Sequence, residues 1–154
     1  MPDRYWGRIQ FPVSMIDEDI REAMEAEGVD FDEKGRPITV YGFVQVEDGI
    51  FTMENAQAEN GAFEDLEDTL KVAGVPFDRE SSEYCEYPAE EAIFRPGKNG
   101  NPPIELVFIL SDGEPFLKLS VLRELMARGI KAIRSYVNSH FPIYPLLKEY
   151  VKEG

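Results

Sequence analysis

His140 is the only histidine of the chain and Cys85 the only cysteine, so a Ser–His or Cys–His mechanism would have to run through them. Their settings point elsewhere. Ser139-His140-Phe141-Pro142 reads as the C-terminal end of a helix, where a cationic imidazole is stabilised by the helix dipole. Cys85 lies between Tyr84 and Glu86 in a strand candidate, among acids that disfavour a thiolate, and is expected to be a small core residue. The run Asp30-x-Asp32-x-Lys34-Gly35 opens like a calcium loop, with two carboxylates around a sharp turn. Lys34 then replaces an oxygen ligand, and Tyr41 stands where the bidentate Glu is required. A solvated turn is the expected outcome.

Other carboxylates, Glu83, Glu86, Glu90 and Glu91, and Asp112 with Glu114, are of the type that binds magnesium or forms an acid/base pair. Nothing in their spacing fixes a mutual geometry, and a solvated face is the expectation. Gly97-Lys98-Asn99-Gly100-Asn101 lacks the Gly-Lys-Ser/Thr of a phosphate loop and leads into a strand instead of a helix. Arg123, Lys131 and Arg134, with Arg128 toward one flank, make a basic stripe too small for nucleic acid. Tyr84 and Tyr87 fall on opposite faces of an ideal strand, which denies them a common stacking platform. No metal and no cofactor is expected.

The elements that would position these residues are legible from pattern. Tyr5–Val13 is β-rich. Ser14 is placed to cap a helix over Met15–Glu27, with Ile16, Ile20, Ala23 and Met24 as its apolar stripe and Gly28 ending it. Asp32-Glu33-Lys34-Gly35 is a turn. Ile38–Val46 and Ile50–Met53 flank Asp48-Gly49, a strong hairpin dipeptide. Asn60–Val75 is an amphipathic helix, with Phe63, Leu66, Leu70 and Ala73 on one face and Gly74 and Pro76 at its end. Phe77–Arg79, Glu83–Tyr87 and Ala92–Arg95 are short strands, and 96–103 is a loop. Ile104–Leu110 reads as a buried strand, turned by Asp112-Gly113 into Phe116–Leu119. Ser120 then caps a long helix, Val121–Asn138, whose stripe of Leu122, Leu125, Met126, Gly129, Ile130, Ile133 and Val137 is assigned to the core. Pro142 and Pro145 precede a short terminal helix through Val151.

This succession predicts one α+β domain over 1–154, a mostly antiparallel sheet with helices packed on one face. Strand, helix, hairpin, helix, strand through Tyr87 also fits a ferredoxin-like βαββαβ core followed by C-terminal helices. At 154 residues, with 43% hydrophobic and 12% aromatic content, the chain is long enough for one sizeable core. A single cysteine excludes an internal disulfide and a Cys-rich zinc site. The first residues lack an apolar leader segment and no stretch approaches a membrane span, so a cytoplasmic location without membrane contact is expected.

Charge is distributed unevenly. Residues 1–97 hold 24 acids against 8 bases and residues 98–154 hold 6 against 8, placing a net charge near −16 beside one near +2. Such an acidic surface repels nucleic acid and attracts basic protein surfaces. Asp17, Glu18, Asp19 and Glu22 on the first helix, with Glu64, Asp65, Glu67 and Asp68 on the second, are the candidate binding residues.

Glu59-Asn60-Gly61-x-Phe63-Glu64-x-Leu66-Glu67, then Gly74-Val75-Pro76-Phe77-Asp78, Glu86-Tyr87-x-Ala89-Glu90 and Phe94-Arg95-Pro96-Gly97 resemble small uncharacterised acidic proteins of bacterial plasmids and phages. The resemblance covers about a quarter of the chain, 59–97. It implies an accessory protein of a mobile element and carries over no activity or catalytic residue. Two function classes follow. One is a non-enzymatic acidic binding or inhibitory protein, nucleic-acid-mimic-like, that engages a basic protein surface. The other is a small carboxylate- or metal-dependent enzyme using Glu83–Glu91 with Asp112 and Glu114.

Overall fold

Period-2 burial sets the first strand, β1 (Arg4–Pro12), in which Ile9 and Phe11 point into the core and Arg8 and Gln10 point away. The computed structural model describes residues 2–39 and 42–152. A 3-10 turn, Val13–Met15, leads to α1 (Glu18–Ala26). Ile16 is extended, so the helix cannot begin at Ser14. Asp17 is the cap instead, its Oδ1 accepting from the Ile20 N–H at 2.8 Å. A small hairpin, β2 (Val29–Phe31) with β3 (Pro37–Thr39), follows. Then come β4 (Phe43–Glu47) and β5 (Ile50–Glu59), joined at Asp48-Gly49, both with positive φ, as a tight two-residue turn requires. The strand expected over Ile38–Val46 is thus two, with residues 40 and 41, Tyr41 of the calcium-like run included, outside the described residues.

α2 (Glu64–Ala73) ends at left-handed Gly74 and feeds β6 (Phe77–Ser81), β7 (Glu90–Arg95), β8 (Ile104–Ser111) and β9 (Glu114–Pro115). Seven strands pair antiparallel in the order β4-β5-β1-β6-β7-β8-β9. Within it, β5 separates β1 from β4 and β1 separates β5 from β6, so β1-α1-β4 and β5-α2-β6 are split βαβ units. That is the ferredoxin-like order, extended along one edge by β7 to β9. α1 and α2 cover one face, where Ile20, Met24, Leu66 and Leu70 close over Ile9, Phe11, Phe51 and Phe77, all fully buried. Each contributes roughly 1.5–3 kcal/mol of apolar burial.

A second, smaller core lies on the opposite face. Ile93, Phe108 and Leu110 pack there against Phe141 and Tyr144, with Phe108 and Phe141 stacked at 5.6 Å. Arg95 pins this C-terminal segment. Its side chain is 1% exposed, Nε donates to the Pro145 carbonyl at 2.6 Å, and Nη1 donates to the carbonyls of Phe94 and Phe77 at 2.8 and 3.1 Å. The guanidinium also lies over the Tyr144 ring at 5.2 Å and 2.7 Å from Asp78 Oδ1. That last approach is an ion pair without hydrogen-bond alignment, since neither Asp78 Oδ1 nor Arg95 Nη2 has a hydrogen-bond partner. Burial pushes the Asp78 carboxyl above its usual range, and the guanidinium offsets this only in part.

Further expectations are corrected in the C-terminal third. The long helix is two, α3 (Leu119–Arg128) and α4 (Ile130–His140), broken at Gly129, whose φ of 98° and ψ of 174° are open to glycine alone; the residue before α3 is Lys118, so Ser120 is no cap. Only Leu125 of the two helices is buried, and Met126 and Ile130 are 63% and 62% exposed, because the helices stand away from the main core. β8 is half-buried, with Val107 and Ile109 exposed, and β9 is two residues long where Phe116–Leu119 was expected. The terminal helix is a single 3-10 turn, Leu147–Tyr150.

Candidate functional site

A cleft of about 780 Å³ opens between the C-terminal end of α1, the end of β5 and the first turns of α2. The chain reverses from β5 into α2 through Asn60 and Gly61, both left-handed, and the fit at this corner is close. A Cβ on Gly61 would collide with the Tyr5 ring and with Ser81, and one on Gly7 would lie 2.5 Å from the Gly61 carbonyl. The β1–β5 register shifts between Tyr5 and Gly7, and Tyr5 lines the cleft.

Seven acids line it, Glu27, Glu59, Glu64, Asp65, Glu67, Asp68 and Glu90, against three bases, Arg4, Lys71 and Arg79. The bases are committed. Arg4 pairs with Glu59 at 2.8 Å, Lys71 with Glu105 outside the cleft at 3.1 Å, and Arg79 with Glu67 and Glu90 at 3.2 and 3.0 Å. The side chains of Glu27, Glu64, Asp65 and Asp68 have no cationic partner among the described residues. Partial burial, followed by repulsion from Asp65, Glu59 and Glu67, pushes the Glu27 carboxyl above its ordinary range. The cleft is therefore an electrostatic well for a cation.

Of the acids expected at a binding face, Glu64, Asp65 and Asp68 are brought together here. Glu67 enters the same cleft but is 8% exposed and structurally engaged: Oε2 accepts from the Phe63 N–H at 2.8 Å and Oε1 from Arg79 Nε. The first-helix set is elsewhere. Asp17 caps α1, Asp17 and Glu18 border a separate hollow of about 560 Å³ with Arg21 and Phe31, and Asp19 and Glu22 are exposed and line neither. Glu27, Glu59 and Tyr5 were missed, since no local pattern joins residues from three distant elements.

The rim carries an aromatic stack that the sequence reading denied. Tyr84 and Tyr87 exchange backbone hydrogen bonds of 2.9 and 2.8 Å across Cys85-Glu86, so Glu83–Tyr87 is a tight turn. Cys85 holds a left-handed φ of 51° and is exposed, neither in a strand nor in the core. The turn puts both tyrosines on one side, where Tyr5 stacks on Tyr84 at 5.1 Å and on Tyr87 at 6.4 Å. Tyr5 lines the cleft and Tyr84 and Tyr87 are partly exposed beside it, and aromatic rings next to carboxylates suit a guanidinium or ammonium group. Burial, followed by the charge of Glu90, raises the Tyr5 hydroxyl pKa.

The remaining candidates are scattered. Asp32 organises the β2–β3 turn by accepting from the N–H groups of Lys34 and Arg36 at 2.9 and 2.8 Å, as a solvated turn would. Glu90 and Glu91 project to opposite faces of β7, Glu90 toward the cleft and Glu91 toward Asp78, where burial first and that neighbour second raise its pKa. Among the described residues, no three His, Cys, Asp or Glu side chains converge to hold a metal ion. His140 ends α4, its ring stacked on Tyr136 at 3.9 Å and Nδ1 3.0 Å from the Tyr136 carbonyl. No helix among the described residues is long and apolar enough to cross a membrane. The chain matches no family model, no curated protein and no solved structure.

Proposed function

We propose that the protein is a non-enzymatic binding protein whose cleft takes lysine or arginine side chains of a basic protein surface. One observation carries this reading: four carboxylates, Glu27, Glu64, Asp65 and Asp68, share the cleft and form no ion pair among the described residues. A bound cation relieves that repulsion, and Tyr5, with Tyr84 and Tyr87 stacked on it, sets aromatic rings next to the same cleft. The segment 59–97 that resembles plasmid and phage accessory proteins contributes Glu59, Glu64, Glu67 and Glu90 to the same cleft. On this reading the chain inhibits a partner by occupying a basic groove that would otherwise hold nucleic acid.

The test is titration of the protein with an arginine-rich peptide at low and high salt, beside the triple variant Glu64→Gln, Asp65→Asn, Asp68→Asn. Binding to the wild type that weakens with salt, and a loss of about tenfold or more in the variant, is the expected result. Equal affinity of the two proteins at low salt would remove the cleft from the binding face.

A further inference from the structure

α3 and α4 form an unpartnered face whose chemistry is the complement of the cleft. They are 10 and 11 residues long, too short to be stable on intrinsic propensity, yet only Leu125 is buried. Arg123, Arg128, Lys131 and Arg134 are exposed, and their side chains form no ion pair among the described residues. Between them Met126 and Ile130 are open to solvent. These unpaired bases of α3 and α4, with Glu124 the one acid among them, complement the four unpaired acids in the cleft. Just outside the cleft lies an apolar residue as well. Val72, 91% exposed, lies one helical turn beyond Asp68 on α2, on the side that carries Asp65 and Asp68.

We propose that the α3–α4 face of one copy docks on the acidic α1–α2 face of a second copy. The basic side chains enter the cleft and Met126 and Ile130 meet Val72. This deepens the cation-binding reading of the cleft and rests on it, naming a ligand that the chain itself carries. Charge decides against like-on-like pairing, because two cleft faces repel each other and so do two basic helix faces. Opposite charges meet only where the α3–α4 face of one copy lies on the α1–α2 face of another. Within one copy the docking is prevented, since Arg95 holds the segment after α4 against the opposite face of the sheet.

Sedimentation of the full chain at low and high salt tests the proposal, with two charge-reversed variants. The first carries Arg123→Glu, Lys131→Glu and Arg134→Glu; the second carries Glu64→Lys, Asp65→Lys and Asp68→Lys. The wild type should self-associate at low salt and dissociate at high salt. Each variant should be monomeric alone, and the mixture should associate again. A wild type that stays monomeric at low salt and high concentration would overturn the proposal, as would variants that associate as the wild type does. Titrating a third variant, Arg123→Gln, Lys131→Gln, Arg134→Gln, which adds no acid, with the arginine-rich peptide separates the two readings. If it binds the peptide while the wild type is monomeric, the cleft reading stands and this one falls; if it does not bind, the cleft reading fails.

Discussion

Replacing Arg95 by Met keeps most of the side-chain volume and deletes the charge, which isolates what the guanidinium does for the second core. Three charge-assisted hydrogen bonds are lost, to the carbonyls of Pro145, Phe94 and Phe77, together with the ion pair to Asp78. Asp78 is then a largely buried carboxylate without its partner, and breaking such a pair costs about 3–5 kcal/mol. For a chain of this length that corresponds to a fall in Tm of roughly 10 °C. The pH dependence identifies the cause. The Asp78 carboxyl already sits above its ordinary value, and loss of Arg95 raises it further, so the folded variant holds a proton that the unfolded chain releases. Its deficit should be largest at neutral pH and shrink as pH falls through the folded-state value. Urea unfolding of both proteins across that range reads the deficit as a shift in midpoint at constant slope. A second change, Asp78→Asn, should restore the part of the deficit that comes from the unpaired carboxylate and remove its pH dependence, leaving the cost of the three carbonyl hydrogen bonds. An Arg95→Met protein within about 0.5 kcal/mol of the wild type, or a deficit that does not vary with pH, would refute the reasoning.

Glu67→Ala should cost about 2–3 kcal/mol, because it leaves the Phe63 N–H and the Arg79 Nε–H without their acceptor, whereas exposed Asp68→Ala should stay within about 0.5 kcal/mol; chemical denaturation of the pair measures the contrast. Glu27 has a folded pKa above its unfolded value, so its charged form is a penalty at neutral pH that is relieved as pH falls through the folded value; the Glu27→Gln variant should show a flatter rise in Tm on mild acidification than the wild type. Ile130→Asp should shift Tm by no more than about 2 °C in the monomer, because the side chain is solvent-exposed, and a thermal melt at high salt checks it.

Local chemistry carried the reading of individual elements. The α2 stripe of Leu66 and Leu70, its stop at Gly74, and the Asp48-Gly49 turn were all legible, because each depends on residues within one or two turns of chain. The split βαβ order was legible too, as a succession that few topologies accommodate. Where burial depends on what another element covers, pattern misled. The stripe through Met126 and Ile130 has helical spacing, but Gly129 interrupts it and little of the sheet lies beneath. Cys85 and its flanking tyrosines read as a strand, since no local signal announces a non-glycine residue in the left-handed region.

The sequence by itself determined the fold class, the uneven charge and the presence of more acids on 1–97 than its own bases can neutralise. Which acids remain unpaired was decided only by the tertiary structure. Glu67 was withdrawn into a buried ion pair with Arg79, twelve residues away, and Asp17 was used as a helix cap. Glu27 was carried from the end of α1 to face Asp65 on α2, although 38 positions separate them. The reason is physical: net charge is a sum over the chain and survives any folding, whereas repulsion falls off with distance in space, and distance in space is set by how the sheet orders its strands.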